Sequence, residues 1–555
     1  MDNTIKIWDV PVNTPTGSHG GHQGAVRGVA ISQDGQWLIS GGADKTVRLM
    51  TAADGKLLRL LEGHQSAVVG IAARADNKQV ATVTEAGVLR LFNPVDGMIQ
   101  GTVGAHGGPV TGLVYAPNNS FVLTAGSDGM VRKWPVTIPK TVTASGHTGP
   151  VDVLDLSANG AVIATGSSDK SARLWNRTDG KPLRLLENHP AAVTAIAFSP
   201  NGSQVATGCA DKIARLFATG TGKLQKAFPA QGAPLTAVAL SGNGRLLVVG
   251  DAAGAVGLYK IADATSQSKI VAHGGPVTAV AFSPNSAQVV TASRDKTIRV
   301  ASASDGKVVR SISLPAEATA LGLSTNGTQV AVGTAKGGLQ VMTLADGKTV
   351  RTLTGHATEI TDVAFSRDQA RLLSSSADGR VRAWDLKTGH VLQSFAAPGK
   401  VNGVGFGTDN RTVVFGGADK QVHVDAVSTQ LVIAADEKAV ASLAISGNSS
   451  VLLTAGGGGV VTWNVSNGQQ VKKFEGLPGG VAAVAFSPSS QQVAAGDVKT
   501  LCLWNAGNAQ LQLKIAMESP VTRLVYSSDS KKLLAVGRDK AIRSFDPTPP
   551  KPQPP

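Results

Sequence analysis

Three sets of residues in this chain have the composition of a hydrolytic relay. His106, Thr124 and Asp128, then His147, Thr165 and Asp169, then His356, Ser374 and Asp378 each place a hydroxyl 18 residues and a carboxylate 22 residues after an imidazole. An imidazole set between a hydroxyl and a carboxylate can activate a nucleophile. Such a relay is recognised by its geometry in one cleft, and recurrence at identical offsets would instead mean several identical active sites. Repetition therefore points to a structural role, shared by the partial sets His22, Ser40, Asp44 and His273, Thr291, Asp295.

Other candidates for chemistry are weaker. The His19-Gly-Gly-His22 spacing could hold a metal, but no carboxylate or thiol sits near it in sequence, so a structural His22 beside an exposed His19 is expected. Gly456-Gly-Gly-Gly459 has the glycine content of a phosphate loop without the Lys-Ser/Thr that follows one, and it leads into a strand, which predicts a shortened turn. Cys209 and Cys502 are the only cysteines, too far apart in sequence for a Cys-x-x-Cys site, and read as core thiols. His390 and His423 fall outside the recurring register and are expected on exposed surface. No catalytic residue, metal site or cofactor is expected.

The elements that carry these residues follow from the spacing of the landmarks. A histidine or its substitute returns at His22, His64, His106, His147, His189, Gln231, His273, Pro315 and His356, 41 or 42 residues apart each time, and about thirteen repeats can be traced. A period so steady means one supersecondary unit stacked on itself, because no single unit of this size buries its own apolar face. In residues 273–313, Val277-Thr-Ala-Val-Ala-Phe, Gln288-Val-Val-Thr-Ala, Thr297-Ile-Arg-Val and Val308-Val-Arg-Ser-Ile are separated by Pro-Asn-Ser, Arg-Asp-Lys and Ser-Asp-Gly-Lys. Short β-branched runs closed by such turns predict four antiparallel strands per repeat and leave no room for a helix. The chain is therefore all-β, with tandem propellers of four-stranded blades.

At this point the sequence resembles the WD-repeat family of β-propellers over residues 2–546. The Trp-Asp pair stands at Trp8-Asp9 and Trp384-Asp385, and six of seven tryptophans (Trp8, Trp134, Trp175, Trp384, Trp463 and Trp504) fall at the third-strand position. The resemblance implies that His106, Thr124, Asp128 and Trp134, His147, Thr165, Asp169 and Trp175, and His356, Ser374, Asp378 and Trp384 are structural tetrads joined by hydrogen bonds inside a blade. Their donors and acceptors match, since a carboxylate only accepts and an indole only donates.

Thirteen repeats exceed any single ring of four to eight blades. Two rings of about seven are expected, over residues 1–270 and 271–546, followed by a proline-rich tail or linker at 547–555 with a Pro-x-x-Pro spacing at Pro547 and Pro550. The first repeat enters at its third strand, so the first ring has an incomplete blade with an unpaired edge. Either the carboxy-terminal repeat covers that edge or the chain is part of a longer one. A division into seven and six blades, with residues 12–18 closing the first ring as an outer strand, is the competing arrangement.

The formal charge of +14 raises the question of nucleic acid. The basic residues, however, sit on repeat positions: Lys45, Lys170, Lys212, Lys296, Lys420 and Lys540 after a turn aspartate, and Arg48, Arg90, Arg132, Arg173, Arg215, Arg299, Arg382 and Arg543 on the next strand. They read as a solvated rim with stems along a neighbouring blade. With aromatics at 4%, a base-stacking groove is not expected.

The expected function is that of a non-catalytic scaffold whose partners are other proteins, acidic ones included, without membrane binding. Partner choice is expected where the repeat is broken on the turn face, at Glu85, Asp251, Arg294 and Arg538. The alternatives are an accessory region of a longer enzyme or electron-transfer protein, and a binder of an acidic polymer such as RNA. No signal-like or membrane-spanning stretch is legible, which makes the cytoplasm the default location.

Overall fold

The computed structural model describes residues 4–9, 14–139, 141–187, 189–270, 273–437, 439–477, 480–527, 529–539 and 541–549. All regular structure among them is β-strand, and no helix is long and apolar enough to cross a membrane. One blade shows the construction. Val193–Phe198, Gln204–Cys209, Ala214–Ala218 and Leu224–Ala227 pair antiparallel in that order. The second strand is almost wholly buried and the fourth mostly exposed. That gradient explains the composition: inner strands lie between neighbouring sheets and read as continuous apolar runs, whereas the outer strand meets water with Leu-Gln-Lys-Ala.

Close approach between blades decides some residue choices. A Cβ added to Gly166 would lie 2.5 Å from Val193 Cγ1 of the next sheet, and one on Gly333 would lie 2.4 Å from Ile360 Cγ2. Only glycine lets those second strands pack at the observed distance.

The chain divides into two compact units, residues 1–140 with 428–555, and residues 141–427. This corrects the division at 270/271: Ser266–Ile270 and Val277–Phe282 both fall inside the second unit, in successive sheets. Non-local strand pairing makes the difference. The third strand Met130–Pro135 takes its outer neighbour from Leu431–Ala434, with Val131 opposite Ile433. Val142–Ser145 in turn is the outer strand of the sheet Val401–Phe406, Thr412–Gly417, Gln421–Ala426, with Ala144 opposite Val422. The repeat is alike in every blade, so its period carries no mark of where a ring closes.

In the 141–427 unit the first strands Val151–Leu156, Val193–Phe198, Leu235–Leu240, Val277–Phe282, Ala318–Leu323, Ile360–Phe365 and Val401–Phe406 pack in succession, and the last packs on the first. Seven antiparallel runs of four strands form that circuit. Hydrogen bonds run along it from sheet to sheet. Thr194, Thr236, Thr319 and Thr361 each donate Oγ1–H to a first-strand carbonyl of the next sheet at 2.6 Å, and Asn402 Nδ2–H reaches Val151 O at 3.0 Å.

The other unit has six first strands in succession: Val26–Ile31, Val68–Ala73, Val110–Tyr115, Val440–Ile445, Ala483–Phe486 and Val521–Tyr526. Among the described residues its last sheet has three strands, ending at Ile542–Phe545, and Ile5–Asp9 pairs only with Thr14–His19 as a two-stranded sheet. Thr14–His19 therefore does not close the ring as an outer strand of the last sheet. Pro547 O accepts from Gln492 Nε2 at 3.0 Å, while residues 550–555 of the tail, and with them the Pro-x-x-Pro spacing, lie outside the described residues.

Candidate functional site

The relay-like sets are assembled within single blades. His106 Nδ1 lies 2.9 Å from Asp128 and Nε2 2.8 Å from Thr124 Oγ1, which also accepts Trp134 Nε1–H at 2.9 Å. His147 has the same bonds to Asp169 and Thr165 at 2.8 Å each, with Trp175 Nε1–H on Thr165 at 2.8 Å. His356 reaches Asp378 at 2.9 Å and Ser374 at 2.7 Å, and Trp384 Nε1–H donates to Ser374 at 2.8 Å. All three indoles are fully buried. A hydroxyl that takes an indole proton on one side and faces an imidazole on the other is held away from any cleft where a substrate could approach. These groups satisfy one another, as buried polar groups must.

Protonation follows. Burial depresses the His106, His147 and His356 imidazoles, outweighing the opposing pull of their aspartates. Burial also pulls the Asp169 carboxyl upward, but hydrogen bonds from Ser171, His147 and Thr148 prevail and hold it well below the usual carboxylate range. Neutral imidazole against ionised carboxylate is a fixed hydrogen-bonded pair rather than a proton relay.

Departures from the full set are informative. His22 keeps Asp44 and Ser40 at 2.9 Å each, with buried Met50 in place of the indole. His64 keeps Thr82 at 2.9 Å, but the aspartate position is Ala86. His189 keeps Thr207 at 2.9 Å, while Asp211 turns to Arg215 at 2.6 Å. Without the carboxylate contact, burial pushes both imidazoles down to about 4, with the charges of Arg90 and Arg215 adding to it. Trp463 Nε1–H bonds Thr454 at 2.7 Å with no histidine in its blade, and Trp504 bonds Glu475 O at 2.9 Å. The side chain of Trp8 lies outside the described residues.

Several expectations are corrected. Arg132 and Arg215 are not rim residues with heads in water. Both are buried, clamped four residues back on Asp128 at 2.7 Å and Asp211 at 2.6 Å, and Arg382 repeats the clamp on Asp378 at 2.8 Å. His423 is not exposed surface either. It stacks on Phe415 with centroids 4.9 Å apart and bonds Asp419, again four residues back, at 2.6 Å. The spacing from the turn aspartate was the signal in the sequence for both. His390 and His19 are likewise partly covered rather than exposed, and among the described residues no group of three His, Cys, Asp or Glu side chains could hold a metal. Both cysteines are buried and unpaired. Gly456 and Gly459 face each other across a two-residue turn, where Asp436 accepts Gly458 N–H at 2.8 Å.

The four turn-face candidates separate. Glu85 is exposed and pairs with exposed Arg27 at 3.1 Å. Arg294 is exposed and bridges Glu317 at 3.1 Å and Glu359 at 2.8 Å, two acidic residues on different sheets, while Lys400 approaches Glu359 at 3.6 Å. Arg538 is exposed beside Asp539, whose carboxylate is engaged by Arg543 at 2.7 Å. Asp251 differs: it is buried, and its Oδ1 accepts the N–H groups of Ala253 and Ala255 at 3.0 and 2.8 Å, so it caps its turn from within.

Comparison with known proteins agrees with this construction. The family model described as "IFT122 first beta-propeller" matches residues 109–384, and "WD domain, G-beta repeat" matches residues 13–49 and 468–505. The chain is similar to nuclear distribution protein nudF of Aspergillus niger, 29% identical over 35% of this chain and 41% of that protein. It is similar to guanine nucleotide-binding protein subunit beta-5b of Danio rerio, 28% identical over 25% of this chain and 38% of that protein. Transcription initiation factor TFIID subunit 5 of Caenorhabditis elegans is 26% identical over 32% of this chain and 28% of that protein. The chain thus spans less than half the length of each. Four-stranded blades, buried His-hydroxyl-Asp-Trp bonding and matches to repeat models in three stretches together show that this chain belongs to the WD-repeat family of β-propeller proteins.

Proposed function

We propose that this protein is a non-catalytic scaffold that docks other proteins on the turn face of its propellers. The observation that carries the reading is the split between buried and exposed polar groups. The histidines, hydroxyls and aspartates able to do chemistry are bonded inside blades, whereas Glu85, Arg294 and Arg538 stand exposed where the repeat is broken. Loops on a rigid scaffold are where recognition residues concentrate. Two of the three relatives named above are called subunits, which is consistent with a role in assemblies.

The Arg294, Glu317, Glu359 and Lys400 cluster gives this face a specific charge pattern. Exposed pairs of this kind contribute little to stability, about 0–1 kcal/mol, so reversing one tests recognition without unfolding a blade. Arg294→Glu and Arg538→Glu together are expected to cut capture of the main co-purifying protein at least tenfold with thermal unfolding unchanged. Undiminished capture removes these residues from the docking face. A log-log salt slope of several units for RNA binding would instead favour an acidic polymer as ligand.

A further inference from the structure

One blade keeps the histidine and the arginine of the relay-like set but not the carboxylate between them. In complete sets the aspartate lies four residues before an arginine, and both basic groups turn to it. Asp128 takes His106 at 2.9 Å and Arg132 at 2.7 Å, and Asp378 takes His356 at 2.9 Å and Arg382 at 2.8 Å. In the blade of His64 the aspartate and arginine positions are Ala86 and Arg90. Ala86 is exposed, so the place that a carboxylate fills in sister blades opens to solvent on the turn face.

Three donors are left facing that place. His64 is 7% exposed, and its Nδ1 has no partner. Its Nε2 lies 2.9 Å from Thr82 Oγ1, which receives no indole proton because Phe92 stands in the tryptophan position. Thr82 O–H is therefore free to donate to Nε2, which leaves the ring proton on Nδ1. The second donor is main-chain. The N–H after the histidine bonds the aspartate from Gln23 to Asp44 at 2.8 Å, from Thr148 to Asp169 at 2.9 Å and from Gly274 to Asp295 at 2.9 Å. Its counterpart, Gln65 N–H, donates to no group among the described residues. The third is Arg90, which forms no ion pair among the described residues and whose Nε is buried without a partner. Its charge bears on His64, and burial lowers the guanidinium itself. A buried cation without a counter-charge and a buried donor without an acceptor are each costly.

Nothing nearby in the chain covers these groups. Glu85, the residue before Ala86, turns to Arg27 at 3.1 Å, and His64 feels the charge of Arg90 and of no acid. Sister blades show that this is not ordinary drift of the repeat. His189 Nδ1 is also without a partner, but there Asp211 is kept and covers Arg215 at 2.6 Å. The blade of Gln231 has lost all three groups together, with Ala253 and Gly257 at the aspartate and arginine positions. Among the described residues only the His64 blade retains both basic partners without the acid.

We infer that the aspartate place of the His64 blade is a binding site for a carboxylate supplied from outside the blade, held by His64 Nδ1–H, Gln65 N–H and the Arg90 guanidinium. Such a ligand completes the set as the replaced side chain does elsewhere, through charge-assisted bonds stronger than neutral ones. Ala86 still provides the Cβ of an aspartate, so what the blade lacks is the carboxylate group itself. The inference goes beyond docking on the turn face and does not depend on it. Its probes are small molecules, so failure here leaves that reading standing.

The first probe is sodium formate, a carboxylate without a stem, added at neutral pH to the full chain with isotope-labelled histidine rings, against sodium chloride at equal ionic strength. The His64 ring signals in NMR are expected to move and saturate with formate while those of His189 stay still. Arg90→Gln is expected to weaken formate binding about tenfold or more. Ala86→Asp, which returns a carboxylate to the chain, is expected to abolish the response and to set the His64 signals near their formate-bound position; it carries the test alone if Arg90→Gln does not fold. The second probe is aspartate acetylated and amidated so that only its side-chain carboxylate remains. Saturation by both probes supports the site and assigns it to an acidic residue of a docking polypeptide; saturation by formate alone supports it and assigns it to a free small carboxylate. His64 signals that neither probe moves, that chloride moves equally, or that formate still moves in Ala86→Asp overturn the inference.

Discussion

Residues 141–427 and the paired segments 1–140 and 428–555 are made from the same four-stranded repeat, yet only the first set of sheets returns on itself. In the closed circuit each inner strand has a neighbour on both sides and Asn402 bonds back to Val151. In the open succession the terminal sheets leave Val29 and Ile542 uncovered. Repeat arrays draw their stability from interfaces between neighbours, so one missing interface weakens the units at its ends most. Two thermal transitions are expected, the lower from the 1–140 and 428–555 unit, with amides of 26–31 and 521–526 exchanging before those of 151–156. A single transition with uniform exchange would show that the open ends cost nothing.

Removing a tetrad indole should separate the units most strongly. Trp384→Ala and Trp134→Ala each delete a fully buried side chain and its bond to a buried hydroxyl, at a cost of about 3–5 kcal/mol. Trp384→Ala should lower only the upper transition and Trp134→Ala only the lower. Calorimetry that finds both transitions moved by either variant would contradict independent units. A smaller effect, about 1–3 kcal/mol, is expected for Gly166→Ala, whose Cβ would meet Val193 at an interface of the closed circuit.

The units also differ in their buried acids. Asp152, Asp155, Asp362 and Asp425, the carboxyls that burial raises among the described residues, all belong to 141–427. Burial pushes Asp155 up to about 6 and Asp362 up to about 7, the latter with help from the charge of Asp155 and against two backbone N–H bonds. Such a group binds a proton in the folded state over a range where the unfolded chain has released it, so stability falls as pH rises through the folded value. Bringing pH from 8 to 6.5 should therefore add on the order of 1 kcal/mol to the 141–427 unit from these acids, a response set against the depressed imidazoles of both units, whose unfolded counterparts already take up protons over that range and lower both transitions. Asp362→Asn should flatten that response, and an unchanged slope would assign it to other groups. The sign is opposite for His64 and His189, held down to about 4: the unfolded chain takes up protons first, from above pH 6.5 downward, and each unit loses stability as pH falls toward 4.

Much of this was legible beforehand because it is local. Strand lengths, the tight turns and the offsets of 18 and 22 all lie within one repeat, where a side chain's neighbours can be counted along the chain. The division into units was not legible from the period, since it depends on pairs such as Val131 with Ile433, three hundred residues apart. A local trace of it does exist. Third and fourth strands are usually joined through a glycine turn, as at Asp179-Gly180 or Asp305-Gly306, but Pro135–Pro139 and Val427–Gln430, where the chain changes unit, contain none. The buried arginines were misplaced for a related reason: periodicity fixes which strand a residue occupies, whereas the partner four residues back decides whether its charge can be covered.

The smallest expected effect falls on turns that both units share. Lys45 in the open unit and Lys170 in the closed one follow their turn aspartates with φ of 67° and 69°, where Gly129 and Gly379 hold φ of 74° and 75° in sister turns. The left-handed region costs a residue with a Cβ about 1–2 kcal/mol, while glycine gives back about 0.5–1 kcal/mol through the freedom of its unfolded chain. Both lysines are exposed, so little packing is lost with the side chain. Lys45→Gly should raise the lower transition and Lys170→Gly the upper, each by less than about 1 kcal/mol. Equal gains would mean the turn is strained alike in both settings. A gain for Lys170 alone would mean that the open unit already relaxes its turns, so that the missing interface is felt beyond the two sheets that border it.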